Sequence, residues 1–211
     1  MTAAAPRIHP LIPLALLEAL QNLDTPYGDD LHEIADELIA RRFGLSETVA
    51  TQVAQYAHRA RRGRGVDDAE AVALFALLAR RPDQDLLFAD AGRRAARRAV
   101  RAVFPRGRLV PRLAPGGLGR RVGFGMARGV ARRVFGATAR RDGMVPTFTL
   151  VAPLSVRATG DARGCAFYGA AFAELLRLLA RYEGALQHVE CRARGAETCR
   201  WIGAIPSELM Q

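Results

Sequence analysis

The stretch CAFYGAAFAELLRLLARYEGALQHVECRARGAETCRWIGA, residues 165–204, decides the fold. In its first half Tyr168, Phe172, Leu175, Leu176 and Leu179 recur at helical spacing, so an amphipathic helix is expected over Cys165–Tyr182 with those residues inward. Its second half holds two β-prone runs, Ala185–Arg192 and Thr198–Ala204, joined through RARGAE, which read as a hairpin centred on Gly195. After a long helix the chain regains the helix's first turn only by running back antiparallel, and the hairpin provides that return. Cys165, at the helix start, is thereby brought towards the hairpin.

The three cysteines of the chain all lie in this stretch, together with His188, in the pattern C-x22-H-x2-C-x7-C. In a hairpin centred on Gly195, Cys191 and Cys199 fall opposite each other, which sets their Cβ atoms about 4.5–5.5 Å apart. Three readings fit that placement. Thiolates and an imidazole suit Zn(II), which takes four ligands tetrahedrally at about 2.0–2.3 Å. The two hairpin cysteines can instead close a disulfide, or all three can be small core residues beside a satisfied histidine. The zinc reading carries a geometric demand. Residues three apart on a regular strand face opposite sides, so His188 and Cys191 share an ion only across a bulge or bend. Glu190 is a rival oxygen ligand, also with the wrong parity relative to Cys191. Three thiolates and a neutral imidazole around Zn(II) leave a net charge of about −1, which Arg192, Arg194 and Arg200 are placed to offset. The unpaired N–H groups of a helix N-terminus also favour a thiolate at Cys165.

Working outward, VPTFTLVAPLSVRA, Val145–Ala158, alternates in part and reads as one or two strands interrupted at Pro153. Leu118–Phe135 reads as a helix in which Gly119, Gly123, Gly125 and Gly129 form two pairs of small residues four apart. Such pairs suit close packing on a neighbouring helix, or a basic face lying on a membrane. Within it GLGRRVG has neither the spacing nor the preceding strand of a dinucleotide loop. FPRGRLVPRLAPGG, 104–117, with three prolines and three glycines, is a connection. Further helices are expected over 83–103, over Asp68–Ala79 with Asp67 and Glu70 as a capping box, and over Glu47–Arg61. Leu31, Ile34, Ala35, Leu38 and Ile39, following Asp29 and Asp30, mark another helix, and Leu11–Leu20 marks the first. Helices followed by strands and one more helix make an α+β protein: a helical N-terminal segment over 1–65, then an antiparallel sheet with packed helices over 66–211.

The 211 residues suffice for one substantial core, or for a small helical domain plus a second one. Half are apolar and a quarter charged, which excludes a disordered or fibrous chain. No run approaches the roughly 18–20 apolar residues of a membrane helix. Pro13 and Glu18 interrupt the apolar start and no small-residue cleavage site follows, so it is read as a helix and not a signal peptide. Three cysteines without an export signal then point to the reducing cytoplasm. The net charge of +10 is concentrated in 91–141, where fifteen arginines meet no Asp or Glu. The chain has no lysine and abundant alanine, as GC-rich coding produces, which weakens a nucleic-acid reading. An acidic protein or a membrane surface is the contact expected for 93–141.

CAFYGAAFAELLRLL followed by HVECRARGAETCRWIGA resembles the C-terminal signature of the 4-vinyl reductase domain family: an aromatic-rich helix opening with cysteine, then C-x3-G-x3-C and an apolar or aromatic strand. DAGRRAARRAV and LVAPLSV, ahead of a C-x-F-Y helix, are similar to its stand-alone members associated with bacteriochlorophyll synthesis. The resemblance is fullest over 145–204. It implies a ligand-binding α+β fold similar to the one shared by NO-signalling and Golgi-transport proteins. It also implies zinc at Cys165, His188, Cys191 and Cys199, with histidine where the family's sensor branch has a carboxylate. The function it implies is binding of a hydrophobic small molecule, a tetrapyrrole or an aromatic, in support of pigment synthesis, with a second copy of the chain as a further partner. Phe148, Phe167, Tyr168, Phe172 and Trp201 are the candidate pocket residues, and plain core is their other reading. Two alternatives accompany it: a 4-vinyl reductase enzyme, and a sensory module for an aromatic ligand. For the enzyme, the chain shows no dinucleotide loop, too few cysteines for a four-cysteine iron–sulfur cluster, and no nucleophile, base and orienter trio, so no catalytic residue is assigned.

Overall fold

In the computed structural model, which describes residues 7–24, 46–104, 116–143 and 145–204, the elements run in the order β1 (Arg7–Ile8), α1 (Leu11–Asp24), α2 (Ser46–Arg61), β2 (Val66–Asp67), α3 (Asp68–Leu78), α4 (Gln84–Val103), α5 (Gly116–Phe135), β3 (Thr138–Asp142), β4 (Val145–Leu150), α6 (Leu154–Thr159), α7 (Cys165–Ala180), β5 (Leu186–Glu190) and β6 (Cys199–Gly203). The protein is a mixed α+β structure with antiparallel sheet. The helix expected from Leu31–Ile39 and nearly all of the 104–117 connection lie outside the described residues.

Helix α7 organises the rest. Phe167, Tyr168, Ala171, Phe172, Leu175, Leu176 and Leu179 are buried along it, which confirms the inward face expected from its spacing. On one side Phe172 stacks on Phe148 of β4, with ring centroids 4.5 Å apart, and meets Trp201 of β6 edge-on at 5.4 Å. On the other side α4 and α5 pack against α7 at glycines: a Cβ on Gly92 would overlap the Phe167 carbonyl oxygen, and one on Gly123 the Leu179 carbonyl oxygen. Helix α1 packs against α4, with Leu14, Leu16 and Leu17 among its buried residues, and its Pro13 sits in the first turn, where no intrahelical donor is needed. The α1 residues therefore join the same core as α7. Arg7–Ile8 pairs with Val66–Asp67 and fastens the start of α1 beside α3.

The main sheet has the order β3-β4-β6-β5, antiparallel throughout. Along β4, Pro146, Phe148 and Leu150 point inward and Val145, Thr147 and Thr149 outward. Val145–Ala158 is thus one strand followed by a helix, not two strands. Pro153, at φ −63° and ψ 136°, starts α6; Leu154 and Ser155 are buried under it, and Gly160 at φ 72° ends it. The strand β3 has almost no sequence signature, because in TARRD only Ala139, paired with Phe148, faces the core. The capping box at α3 also differs from expectation. Asp67 Oδ1 accepts from the Ala69 N–H at 3.0 Å, but Glu70 turns away to accept from the Tyr56 hydroxyl at 2.6 Å and from Arg59. A phenol and a guanidinium outcompete one backbone N–H for that carboxylate.

Glu174 is a buried charge on α7, 4% exposed, and accepts from Arg97 at 2.6 Å and from Arg177 at 2.8 Å. The hydrogen bond from Arg177 holds its carboxyl below the ordinary value, against the opposing effect of burial and with help from Arg97. A carboxyl depressed in the folded state contributes stability above its unfolded pKa, and that contribution disappears as pH falls through the folded value. Glu174→Gln is therefore expected to lower stability by about 1–2 kcal/mol at neutral pH. The gap to wild type should narrow as pH falls below the ordinary glutamate value of about 4.3, as read from denaturant unfolding at neutral and acid pH.

Candidate metal centre

Four potential ligands from three elements converge at one end of α7. Cys165 is its first residue, held close to α6 because Gly164 lies against Ser155, and the Ser155 Oγ is 3.6 Å from the Cys165 Sγ. His188 is on β5, stacked on Trp201 with centroids 4.6 Å apart and planes 11° from parallel. Cys191 follows β5 and Cys199 opens β6. Pairing runs His188↔Trp201 but Glu190↔Arg200, so one extra residue, Val189, is inserted as a bulge. That irregularity meets the demand that strand parity placed on a shared site. Continued by one residue, the Glu190↔Arg200 register sets Cys191 opposite Cys199, across a turn closed by Gly195 at φ 91°.

The ligand atoms of Cys165, His188, Cys191 and Cys199 all lie within 4.8 Å of one another, close enough to hold a metal ion. The Sγ atoms of Cys191 and Cys199 are 3.8 Å apart. A disulfide needs about 2.05 Å, and all three cysteines are free. Tetrahedral ligands at about 2.3 Å from a common centre stand about 3.8 Å from each other. The cysteines are buried, and burial pushes the Cys165 and Cys199 thiols up; Cys191 and Cys199 raise Cys165 further, and Cys191 raises Cys199. Opposing this, Ser155 hydrogen-bonds Cys165 and the Arg192 N–H donates to the Cys199 Sγ at 3.3 Å. Burial, and then the Arg194 charge, lower the His188 pKa and keep the imidazole neutral. Its Nε2 is buried without a hydrogen-bond partner. A buried polar nitrogen with nothing to bond costs about 1–3 kcal/mol, and a cation among three thiols removes that deficit. The donor set therefore fits a metal.

Glu190 is committed elsewhere, in an ion pair with Arg200. The three arginines expected to balance the site's charge are arranged differently from one another. Arg192 reaches the Val151 carbonyl at 2.9 Å, Arg194 the His188 carbonyl at 3.5 Å, and Arg200 takes Glu190. The backbone N–H of Arg192, not its guanidinium, meets sulfur.

Phe148, Phe167, Tyr168, Phe172 and Trp201 are at most 1% exposed. Phe148, Tyr168 and Trp201 each contact Phe172; Phe167 contacts Tyr168 and Phe75, and the Tyr168 hydroxyl accepts from the Leu154 N–H at 3.1 Å. They are brought together as one aromatic core, and Trp201 also lines an open space. That space is a groove of about 560 Å³ beside the Cys/His cluster, with Cys165, His188 and Trp201 along it, Ala166, Gly169 and Ala170 of α7 as one wall, and Asp85 and Arg163 among its charged residues. The indole edge carrying Nε1 lies against Gly169, where a Cβ would be 3.3 Å away. Sequence reading did not single out Gly169, Ala166 or Ser155. The run of small residues in CAFYGAA, on the opposite side from its aromatics, was the available signal for the groove. No family model, curated protein or solved structure matches the chain.

Proposed function

We propose that the protein is a small-molecule-binding domain braced by zinc at Cys165, His188, Cys191 and Cys199. The observation that carries the proposal is the convergence of three thiols and the His188 imidazole, whose Nε2 has no hydrogen-bond partner. Zinc bound there supplies a cross-link between the start of α7 and the closing hairpin, and four protein ligands leave no position for a catalytic water. The chain's own residues prepare the site: the Val189 bulge aims His188, Trp201 fixes its ring, and Ser155 and the Arg192 N–H support sulfur. The groove beside the cluster lies within the volume range of ligand sites, about 300–1,000 Å³. Its apolar wall of Ala166, Gly169 and Ala170, with the Trp201 indole edge beneath it, suits a flat hydrophobic molecule such as a tetrapyrrole or a smaller aromatic. A role beside bacteriochlorophyll synthesis, and kinship with the ligand-binding fold of NO-signalling and Golgi-transport proteins, rest on the resemblance over 145–204.

Metal analysis of the purified protein should give about one equivalent of zinc, and less than about half an equivalent sinks the brace. Trp201 is the chain's single tryptophan and lies on the groove, so its fluorescence reports occupancy. Protoporphyrin IX and p-cresol are the tetrapyrrole and aromatic probes. Saturable quenching by either, abolished in Ala166→Phe and Ala170→Phe, supports the ligand reading. Quenching that does not saturate, or that both variants retain, refutes it while leaving the metal result intact.

A further inference from the structure

Helix α5 leaves one long face uncovered by any described residue. Leu118, Arg121, Val122, Gly125, Arg128 and Arg132 are exposed and Gly129 is half-exposed. At about 100° per residue these seven positions fall within a single arc of roughly 120°. Arg121, Arg128 and Arg132 occupy one half of it, and Leu118, Val122 and Gly129 the other, with Gly125 between them; the exposed Arg133 borders the apolar half beside Val122. Leu118 is 59% and Val122 36% exposed. None of the three arginines has an ion-pair partner among the described residues, although carboxylates elsewhere in the protein are taken by Arg81, Arg94, Arg97, Arg98, Arg157 and Arg200. The basic half continues onto the neighbouring strand, where the exposed Arg141 of β3 lies over the Phe124 ring of α5, 5.8 Å from its centroid.

Gly125 and Gly129 add an independent observation. A Cβ on Gly123 would strike α7, but a Cβ on either of these would meet nothing within 4 Å. Packing inside the protein therefore explains Gly123 and not Gly125 or Gly129. Their effect is a flat, low surface between the arginines and the two exposed apolar side chains.

We infer that this face of α5 docks the protein on an anionic lipid surface, with the arginines at the phosphates and Leu118 and Val122 entering the headgroup boundary. The inference does not depend on the metal or on a groove ligand. Charge complementarity selects an anionic partner. Side-by-side basic and apolar halves on an exposed helix without a concavity are what an interfacial helix requires, and no helix among the described residues is long and apolar enough to cross a membrane. An acidic protein groove or a nucleic acid would use the arginines and have no use for the apolar half.

Sedimentation with phosphatidylcholine vesicles, with and without about 30% phosphatidylglycerol, tests it at low and high salt. The full-length protein should bind the anionic vesicles only, and less as salt rises. With about tenfold or less expected per surface arginine, R121Q/R128Q/R132Q should weaken partitioning on the order of 100-fold. L118S/V122S should weaken it about tenfold. R62Q/R64Q/R80Q, which removes three exposed charges elsewhere, should change it less than about threefold. All substituted side chains are exposed, so thermal midpoints should match wild type and confirm folding. Equal binding to neutral vesicles, equal losses in the two arginine triples, or unchanged binding in L118S/V122S would overturn the proposal. The last of these would leave only a diffuse polyanion contact, as would stronger binding to duplex DNA than to anionic vesicles.

Discussion

Cys191→Ser should leave the purified protein without its equivalent of zinc and lower its thermal midpoint by roughly 8–16 °C, the shift about 4 kcal/mol produces in a chain of this size. That energy is what a site about a thousandfold saturated contributes by mass action, since the unfolded chain offers no preformed tetrahedron. Serine keeps the size but is a poor zinc ligand, and here it would face two buried thiols and the partnerless His188 Nε2. Two measurements separate this from a core of buried cysteines. A strong chelator should bring the wild type down to the midpoint of Cys191→Ser, and the same chelator should leave Cys191→Ser where it is. If the cysteines are only core residues, the chelator moves neither protein, and the substitution costs about 1–2 kcal/mol for a buried hydroxyl in place of a thiol. Cys199→Ser should behave alike, because its sulfur is 3.8 Å from that of Cys191 and the same point is lost.

Much of this site was legible before any coordinates, and the reason is local. A helix with Tyr168, Phe172 and Leu176 on one face and a hairpin turning at Gly195 are short-range patterns, and together they nearly determine where Cys165, Cys191 and Cys199 meet. Parity set a bulge or bend between His188 and Cys191 as the condition for His188 to join them, and the fold supplies it at Val189. What escaped was decided by long-range competition. The β3 strand exists because β4 needs a neighbour, and its own sequence offers one inward alanine. The segment after Pro153 has strand-like residues, but the space under it is closed by Tyr168, whose hydroxyl accepts from the Leu154 N–H, and a helical turn satisfies that contact. The aromatics proposed for a pocket satisfy each other instead, with Phe172 at their centre. The open space formed where the same helix carries alanine and glycine. Side-chain size along one helix thus separated core from groove, a distinction that hydrophobicity alone does not make.

The glycines of α5 give the other large effect, because they look equivalent in sequence and are not equivalent in the fold. Gly123→Ala is expected to destabilise by about 3 kcal/mol or more, at the upper end of overpacking costs, since the new methyl group would overlap the Leu179 carbonyl and backbone cannot yield as a side chain can. Gly92→Ala should do the same through the Phe167 carbonyl, and each change pushes a long helix off α7. The expectation reverses two and six residues further along α5. Gly125→Ala and Gly129→Ala meet open space at helical backbone angles, so each should stabilise by about 0.5–1 kcal/mol, the ordinary gain of alanine over glycine in a helix. Denaturant unfolding of the four single variants tests both signs together. A neutral Gly123→Ala would mean that α5 can move away from α7 at little cost. A destabilising Gly129→Ala would mean that the exposed arc is already covered in the free protein. Repeating the measurement at several protein concentrations would then tell a second copy, whose cover dilutes away, from the chain's own residues, whose cover does not.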